Sequence, residues 1–433
     1  MRSRASILSM ILLMACGARA DVARPGPATS AAALMPRVTS HLAAQGEQLV
    51  AFRHDLHRHP EVSGDEVRTA GRIAARLREL GFEVRTQVGG HGVVGVLQGA
   101  RPGRVVAFRA DMDAVPDTSP DPVDYRSLRP GVRHICGHDL HATLGIALAE
   151  TFASTRDAWP GTLLLVFQPA EERATGAAAM LAGGALSAPR PDVIFAVHAA
   201  PMEVGTFATS SGALMASRDQ VRLVAEGAAP EIESAEEGTA ERGPAVAALR
   251  RIVAQVLALD DAPPFAPQPN ASDFLSLSSQ PVRASGSVAE VKLDVSLASE
   301  RARLRVREAL DTAIARERSA NPALQLRLDY TPRWVPGVRN DGAVARRAMD
   351  SVRAELGNAA MVEDPGVVPA FSEDFGHLLA HTPGAMLFLG VSNTERGWIG
   401  MPHTPGFVAD DAAITVGARV LTRVMLDDML RAP

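Results

Sequence analysis

Lysine is almost missing from this chain of 433 residues: Lys292 stands alone, and arginine supplies nearly all the positive charge. Aromatic residues are also scarce, at 4% of positions, too few for the stacking platforms that hold sugars or nucleobases. No basic stripe relieves that shortage. The 44 basic and 49 acidic residues are well mixed and leave a formal charge of −5, which argues against a nucleic-acid partner. No apolar run reaches the roughly 20 residues that a membrane-spanning helix needs. Neither a glycine-rich phosphate loop nor an internal repeat occurs. Cysteine is limited to Cys16 and Cys136. Apolar residues, by contrast, make up 46% of the chain, far more than a disordered polymer carries. At roughly 100–200 residues per domain, the length suggests two or three domains.

The beginning reads as an export signal. Arg2 and Arg4 precede the apolar run Ile7 to Ala15, and Ala18-Arg19-Ala20 supplies a small-x-small cleavage site. Residues 1–20 are therefore expected to be a signal peptide cut after Ala20, which places the protein in the periplasm or outside the cell. Leu13-Met14-Ala15-Cys16 offers the alternative of a lipoprotein signal ending at Cys16. Either cut leaves Cys136 as the only cysteine of the folded body, so no internal disulfide can form. A lone thiol in an oxidising compartment must be buried or bound to something.

Residues 21–36, rich in Pro, Ala and Ser, read as a tether. A helical pattern begins near Val38, and a second helix over Asp65–Leu80 is stopped by Gly81. Short β-type runs then alternate with helical ones up to the strand Val193–His198. Such alternation predicts an α/β layer with a largely parallel sheet. Composition shifts near Ala216, and residues 216–332 read as a small α+β domain inserted between catalytic segments 37–215 and 333–433.

Polar chemistry is concentrated where apolar strands stop. Val105–Ala110 runs into Asp111-Met112-Asp113, Leu163–Ala170 runs into Glu171-Glu172, and Val193–Val197 ends in His198. Open α/β sheets bind ligands beyond the carboxyl ends of their strands, so these ends should converge on one site. One acidic strand end alone would read as a helix cap or a surface pair. Cys136-Gly137-His138 adds a thiol and an imidazole, good ligands for zinc-like metals. His403 lies in a loop bounded by Pro402 and Pro405; taken alone it reads equally well as a ligand or a surface residue. Adjacent side chains of an extended segment point opposite ways, so one glutamate of the pair can bind metal while the other faces the substrate water. Lowering the pKa of a bound water from 15.7 to about 7 makes hydroxide available near neutrality, and a nearby carboxylate can carry the proton to a leaving amine. Amide hydrolysis fits this set.

Five segments carry a resemblance: Arg53-His54-Asp55-Leu56-His57-Arg58-His59-Pro60-Glu61, Arg109 to Pro116, His134-Ile135-Cys136-Gly137-His138-Asp139-Leu140-His141, Phe167 to Glu172, and Ser372-Glu373-Asp374-Phe375. In that order they resemble the metallo-amidohydrolases, which include hippurate hydrolases, N-acyl-amino-acid deacetylases and auxin–amino acid conjugate hydrolases. The resemblance implies a metal-dependent exopeptidase-like α/β catalytic domain with an inserted ferredoxin-like α+β lid, and it allows a homodimer through that lid. It implies two divalent ions, Zn, Mn, Co or Ni, held by Cys136, His138, Glu172, His198 and His403. Cys136 would take the place of the bridging carboxylate found in related peptidases. Glu171 would be the general base, and Asp113, with Asp111 beside it, would steady the metal-site geometry. His141, His57 and His59 are expected only to pack or to hydrogen-bond locally. The implied substrate is an N-acyl amino acid or a short peptide. The alternatives are an exported carboxypeptidase or dipeptidase, and a ligand-binding relic.

The lid departs from that family. Members carry a glycine-rich segment with an oxyanion-stabilising histidine, whereas the corresponding Val224–Pro230 has none, and no histidine occurs between His198 and His377. The Gly-Thr-x-Arg strand also lacks a counterpart around Val291–Ser299. Slow turnover of simple substrates is therefore expected, with Arg222, Arg283 or Arg333 as candidate substrate anchors.

Overall fold

The computed structural model describes residues 30–227, 243–260, 275–363 and 372–431. The expected leader, with Ala20 and Cys16, lies outside the described residues, as does Ala228–Pro230 of the lid loop. Among the described residues, no helix is long and apolar enough to cross a membrane.

A sheet of eight strands forms the larger body, and its order follows from burial. The run Pro160–Gln168 is buried along nearly its whole length, as suits a strand covered on both faces. Arg101–Asp111 pairs parallel to it on one side, and Gly92–Gln98 pairs antiparallel on the other. Val193–Glu203 and Gly384–Ser392 continue the parallel centre. The outer strands Glu83–Val88 and Phe207–Thr209 pair antiparallel with their inner neighbours. The sheet is thus mixed: Glu83–Val88 and Gly92–Gln98 form a hairpin at one flank, and at the other edge Met361–Glu363 pairs parallel to Phe207–Thr209.

Helices Ala31–Arg58, His138–Ser154 and Ala412–Met429 supply the core on one face. Gly176–Ala182 and Phe375–Leu379 cover the other. The first helix overturns part of the expected tether. It starts at Ala31, capped by Ser30, and runs through Pro36. Ala31, Leu34, Met35 and Val38 recur at helical spacing and are buried, and that burial outweighs the interior proline.

The inserted part has its own core. Strand Ser217–Glu226, helix Pro244–Leu257, strands Leu275–Ser279 and Val288–Leu297, helix Glu300–Ala320 and strand Gln325–Val335 follow in β-α-β-β-α-β order, with a short added strand, Arg283–Ser285, paired to Val288–Leu297. The first of these strands lies between Val288–Leu297 and Gln325–Val335, and every pairing is antiparallel. That is the ferredoxin-like arrangement. Alternating burial along Val288–Leu297 shows why: one face meets the two helices and the other does not.

Candidate metal centre

Register brings the acidic strand ends together. Asp111 pairs with Gln168, so the strands leading to Asp113 and to Glu171 stop at the same level of the sheet. His198 does not end its strand, as expected from sequence; the strand runs on to Glu203. Across the gap, Gly137 turns the chain with φ of 90° and starts the helix His138–Ser154. A Cβ there would come within 3.1 Å of the Ala199 methyl, so the close approach that brings Cys136 and His138 beside the sheet requires glycine.

Ring hydrogen bonds fix which nitrogens are free to bind an ion. His138 Nδ1 lies 2.9 Å from the Asp113 carbonyl, and a carbonyl only accepts, so Nδ1 carries the proton. His138 Nε2 is buried and has no hydrogen-bond partner. By the same logic His198 Nδ1 donates to the Ala199 carbonyl at 2.8 Å, leaving its Nε2 3.6 Å from Cys136 Sγ. His141 is different: its Nε2 accepts the Ala199 N–H at 2.8 Å and its Nδ1 reaches Asp111 at 2.6 Å. Both nitrogens are occupied, so His141 braces the site as a hydrogen-bonding residue.

The donor atoms converge in groups. Those of Cys136, His138 and His198 lie within 4.8 Å of one another, as do those of Cys136, Glu172 and His403, and those of His138, Glu171 and Glu172. Glu172 Oε1 is 3.2 Å from His403 Nε2. An unpartnered buried imidazole nitrogen beside a thiol and carboxylates is the chemistry of a mixed sulfur, nitrogen and oxygen metal site. The residues present fit two adjacent cations that share this set.

The adjacent glutamates do not lie on an extended segment. Residues 171–174 form a turn because Ala170 adopts a left-handed φ of 53°. Both carboxylates consequently come to 3.8 Å from His138 Nε2 instead of pointing apart. Asp113 organises the neighbourhood. One of its oxygens approaches His138 Nδ1 at 3.2 Å, and the other accepts from the Glu172 N–H at 3.0 Å and from the Ser63 hydroxyl at 2.6 Å. Burial, reinforced by Glu373, Glu172 and Asp374, pushes the Glu171 carboxyl well above its ordinary value. Burial, with His141 next to it, brings His198 down to about 3, keeping that ring neutral and able to ligate.

Sequence reasoning missed the ion cluster behind Glu171. Arg109 is fully buried. It donates to Asp111 at 2.7 Å, to both oxygens of Glu373 at 3.0 and 2.8 Å, to Asp374 at 3.2 Å and to Gln168 at 2.8 Å. Gln168 also donates to Asp374 at 2.6 Å. The cluster ties the late segment Glu373–Asp374 to the ends of two central strands. Burial pushes Asp374 up to about 7. A lone arginine and an acidic pair far along the chain gave no sequence signal beyond the motifs that contain them. Arg53 is a second such brace, donating to Asp139 at 3.1 Å and to Asp411 at 2.6 Å. His57 joins it through Asp139 at 2.9 Å, and His59 bonds locally to the Asp55 carbonyl.

In the lid, Arg222 lies between Glu290 at 2.6 Å and Asp329 at 3.1 Å, and Arg333 is paired with Glu300. Both are engaged by lid carboxylates, which weakens them as substrate anchors.

Residues 107–427 match the profile described as Peptidase family M20/M25/M40. The chain is 29% identical over 385 residues to the N-acetylcysteine deacetylase of Bacillus subtilis, covering 86% of this chain and 94% of that one. It is 28% identical over 383 residues to thermostable carboxypeptidase 1 of Saccharolobus solfataricus, covering 86% and 92% respectively. A crystal structure of a dinuclear metal-binding peptidase of the M20 family from Bacillus subtilis superposes with a TM-score of 0.73 at 28% identity, covering 89% of this chain and 99% of that one.

Proposed function

Because the chain belongs to Peptidase family M20/M25/M40 and is therefore a hydrolase, we propose that it hydrolyses the amide bond of N-acyl amino acids, with Glu171 as general base. The observation that carries the reading is the convergence of Cys136, His138, Glu172, His198 and His403 around the Glu171 turn, with the free Nε2 of His138 buried. Those five side chains would hold two divalent cations, as the dinuclear Bacillus structure does by its description; Zn, Mn, Co and Ni all suit such donors. When bound, the ions would polarise the amide carbonyl and acidify a water.

The remaining work belongs to the chain. Glu171 accepts a proton from the attacking water as the C–O bond forms. It returns that proton to the amide nitrogen as the C–N bond breaks, releasing a carboxylic acid and an amine. Asp113 orients His138 and the Glu172 backbone together, and Asp111 orients His141. Similarity to the N-acetylcysteine deacetylase supports an acyl amino acid substrate. Similarity to the carboxypeptidase supports a second reading on short peptides.

A panel of N-acyl amino acids and dipeptides, assayed by amine release, tests the substrate class. No histidine lies between His198 and His377, and one missing oxyanion donor lowers turnover by about 10²–10³. Hydrolysis of N-acetyl amino acids and hippurate should therefore be measurable but slower by that factor than in a relative with the lid histidine. Equal rates would show that another donor fills the role. Cleavage of dipeptides alone would move the assignment to the peptidase reading.

A further inference from the structure

Glu66 starts the helix Val67–Glu79 but makes no side-chain cap to it. Its side chain is wholly buried and turned toward the catalytic turn. One oxygen, Oε1, accepts the backbone N–H of Gly64 at 2.8 Å and that of Ala170 at 2.8 Å. Ala170 is the residue with φ of 53°, immediately before Glu171. A left-handed alanine is strained, because its Cβ crowds the backbone, and it persists only where the surroundings over-determine it. On the other side of Glu171, the Glu172 N–H is held by Asp113 at 3.0 Å. The peptide carrying Glu171 is therefore gripped by a carboxylate at each flank. Both grips trace to the segment before that helix, since Ser63 donates to the same Asp113 oxygen at 2.6 Å.

We propose that Glu66 is a positioning residue for Glu171: its Oε1 holds Ala170 left-handed, and that conformation aims the Glu171 carboxylate into the site. The inference rests on the reading of Glu171 as the base. It assigns Glu66 no contact with substrate and no ligand role. What the clamp needs is an acceptor oxygen at this place, so an amide can replace the carboxylate.

Turnover, amide exchange and metal content together test the clamp. Misplacement by about 1 Å costs on the order of 10²-fold in rate, so Glu66→Ala should lower kcat by about 10- to 100-fold with KM little changed and metal content intact. Glu66→Gln, whose amide oxygen can accept both N–H groups, should restore kcat to within about five-fold of the parent, the neutral acceptor being the weaker one. In a Glu171→Gln background, Glu66→Ala should cost almost nothing further, because residues acting as a unit are not additive. Hydrogen exchange at the Ala170 amide gives a readout that needs no substrate. It should be slow in the parent and in Glu66→Gln, and fast in Glu66→Ala. A fast-exchanging Ala170 amide in the parent would overturn the clamp even if the alanine variant failed to fold. Equal losses for Glu66→Gln and Glu66→Ala would overturn the acceptor role. A full further loss in the Glu171→Gln background would show that Glu66 acts elsewhere. If instead Glu171→Gln itself kept turnover while the exchange pattern held, the base assignment would fall and the clamp would stand as a structural feature.

Discussion

Glu171→Gln should retain both metal ions and lose about 10²–10⁴ of turnover, the range supplied by a positioned general base. The amide keeps the volume and the acceptor oxygen of the carboxylate but cannot take a proton. Its neighbours should be undisturbed, because the turn is held through backbone contacts of Ala170 and Glu172 rather than through the Glu171 side chain. Glu172→Gln should behave differently. Its oxygen lies among the donors with Cys136 and His403, so metal should be lost along with rate. Metal content by elemental analysis, read beside kcat, separates the two. Loss of metal in the Glu171 variant, with retention in the Glu172 variant, would mean that the roles within the adjacent pair are exchanged.

Arg109→Leu should destabilise the fold by about 3–5 kcal/mol, the usual result of removing one partner from a buried ion cluster. The substitution would strand Asp111, Glu373 and Asp374, all buried, without a cation. Arg109→Lys should recover only part of the loss, because a single ammonium cannot match the planar fork that reaches Glu373 with two nitrogens at once. Adding Glu373→Gln to Arg109→Leu should recover stability, since it removes one stranded charge. Urea unfolding would read all of these. A midpoint for Arg109→Leu equal to the parent's would show that the cluster contributes specificity of structure and no stability.

The sequence was most legible where burial and periodicity agree. Continuous apolar runs such as Leu163–Phe167, too short for a helix of ordinary length, read as central strands, and the residues following them then fall at the ligand-binding edge. The composition shift near Ala216 likewise marked the inserted α+β domain, whose strand Val288–Leu297 is covered on one face. Three features were not legible, and each depends on contacts between residues distant in sequence. The left-handed Ala170 is set by Glu66, so the glutamate pair read as extended when it is a turn. Glu373 and Asp374 acquire their meaning from Arg109, to which they are joined only in three dimensions. The helix starting at Ala31 read as tether because residues 21–36 are rich in Pro, Ala and Ser, and only the core against which Leu34 and Met35 pack overrides that signal.

Titrating metal into chelator-stripped protein while following amine release from an N-acetyl amino acid tests the cation-dependent site at the strand ends most directly. Activity should be absent without metal, rise with added ion and level off at two equivalents per chain, and Cys136→Ala should bind fewer than two. Amine release that survives complete removal of metal, or a single ion bound tightly and unchanged by Cys136→Ala, would contradict it.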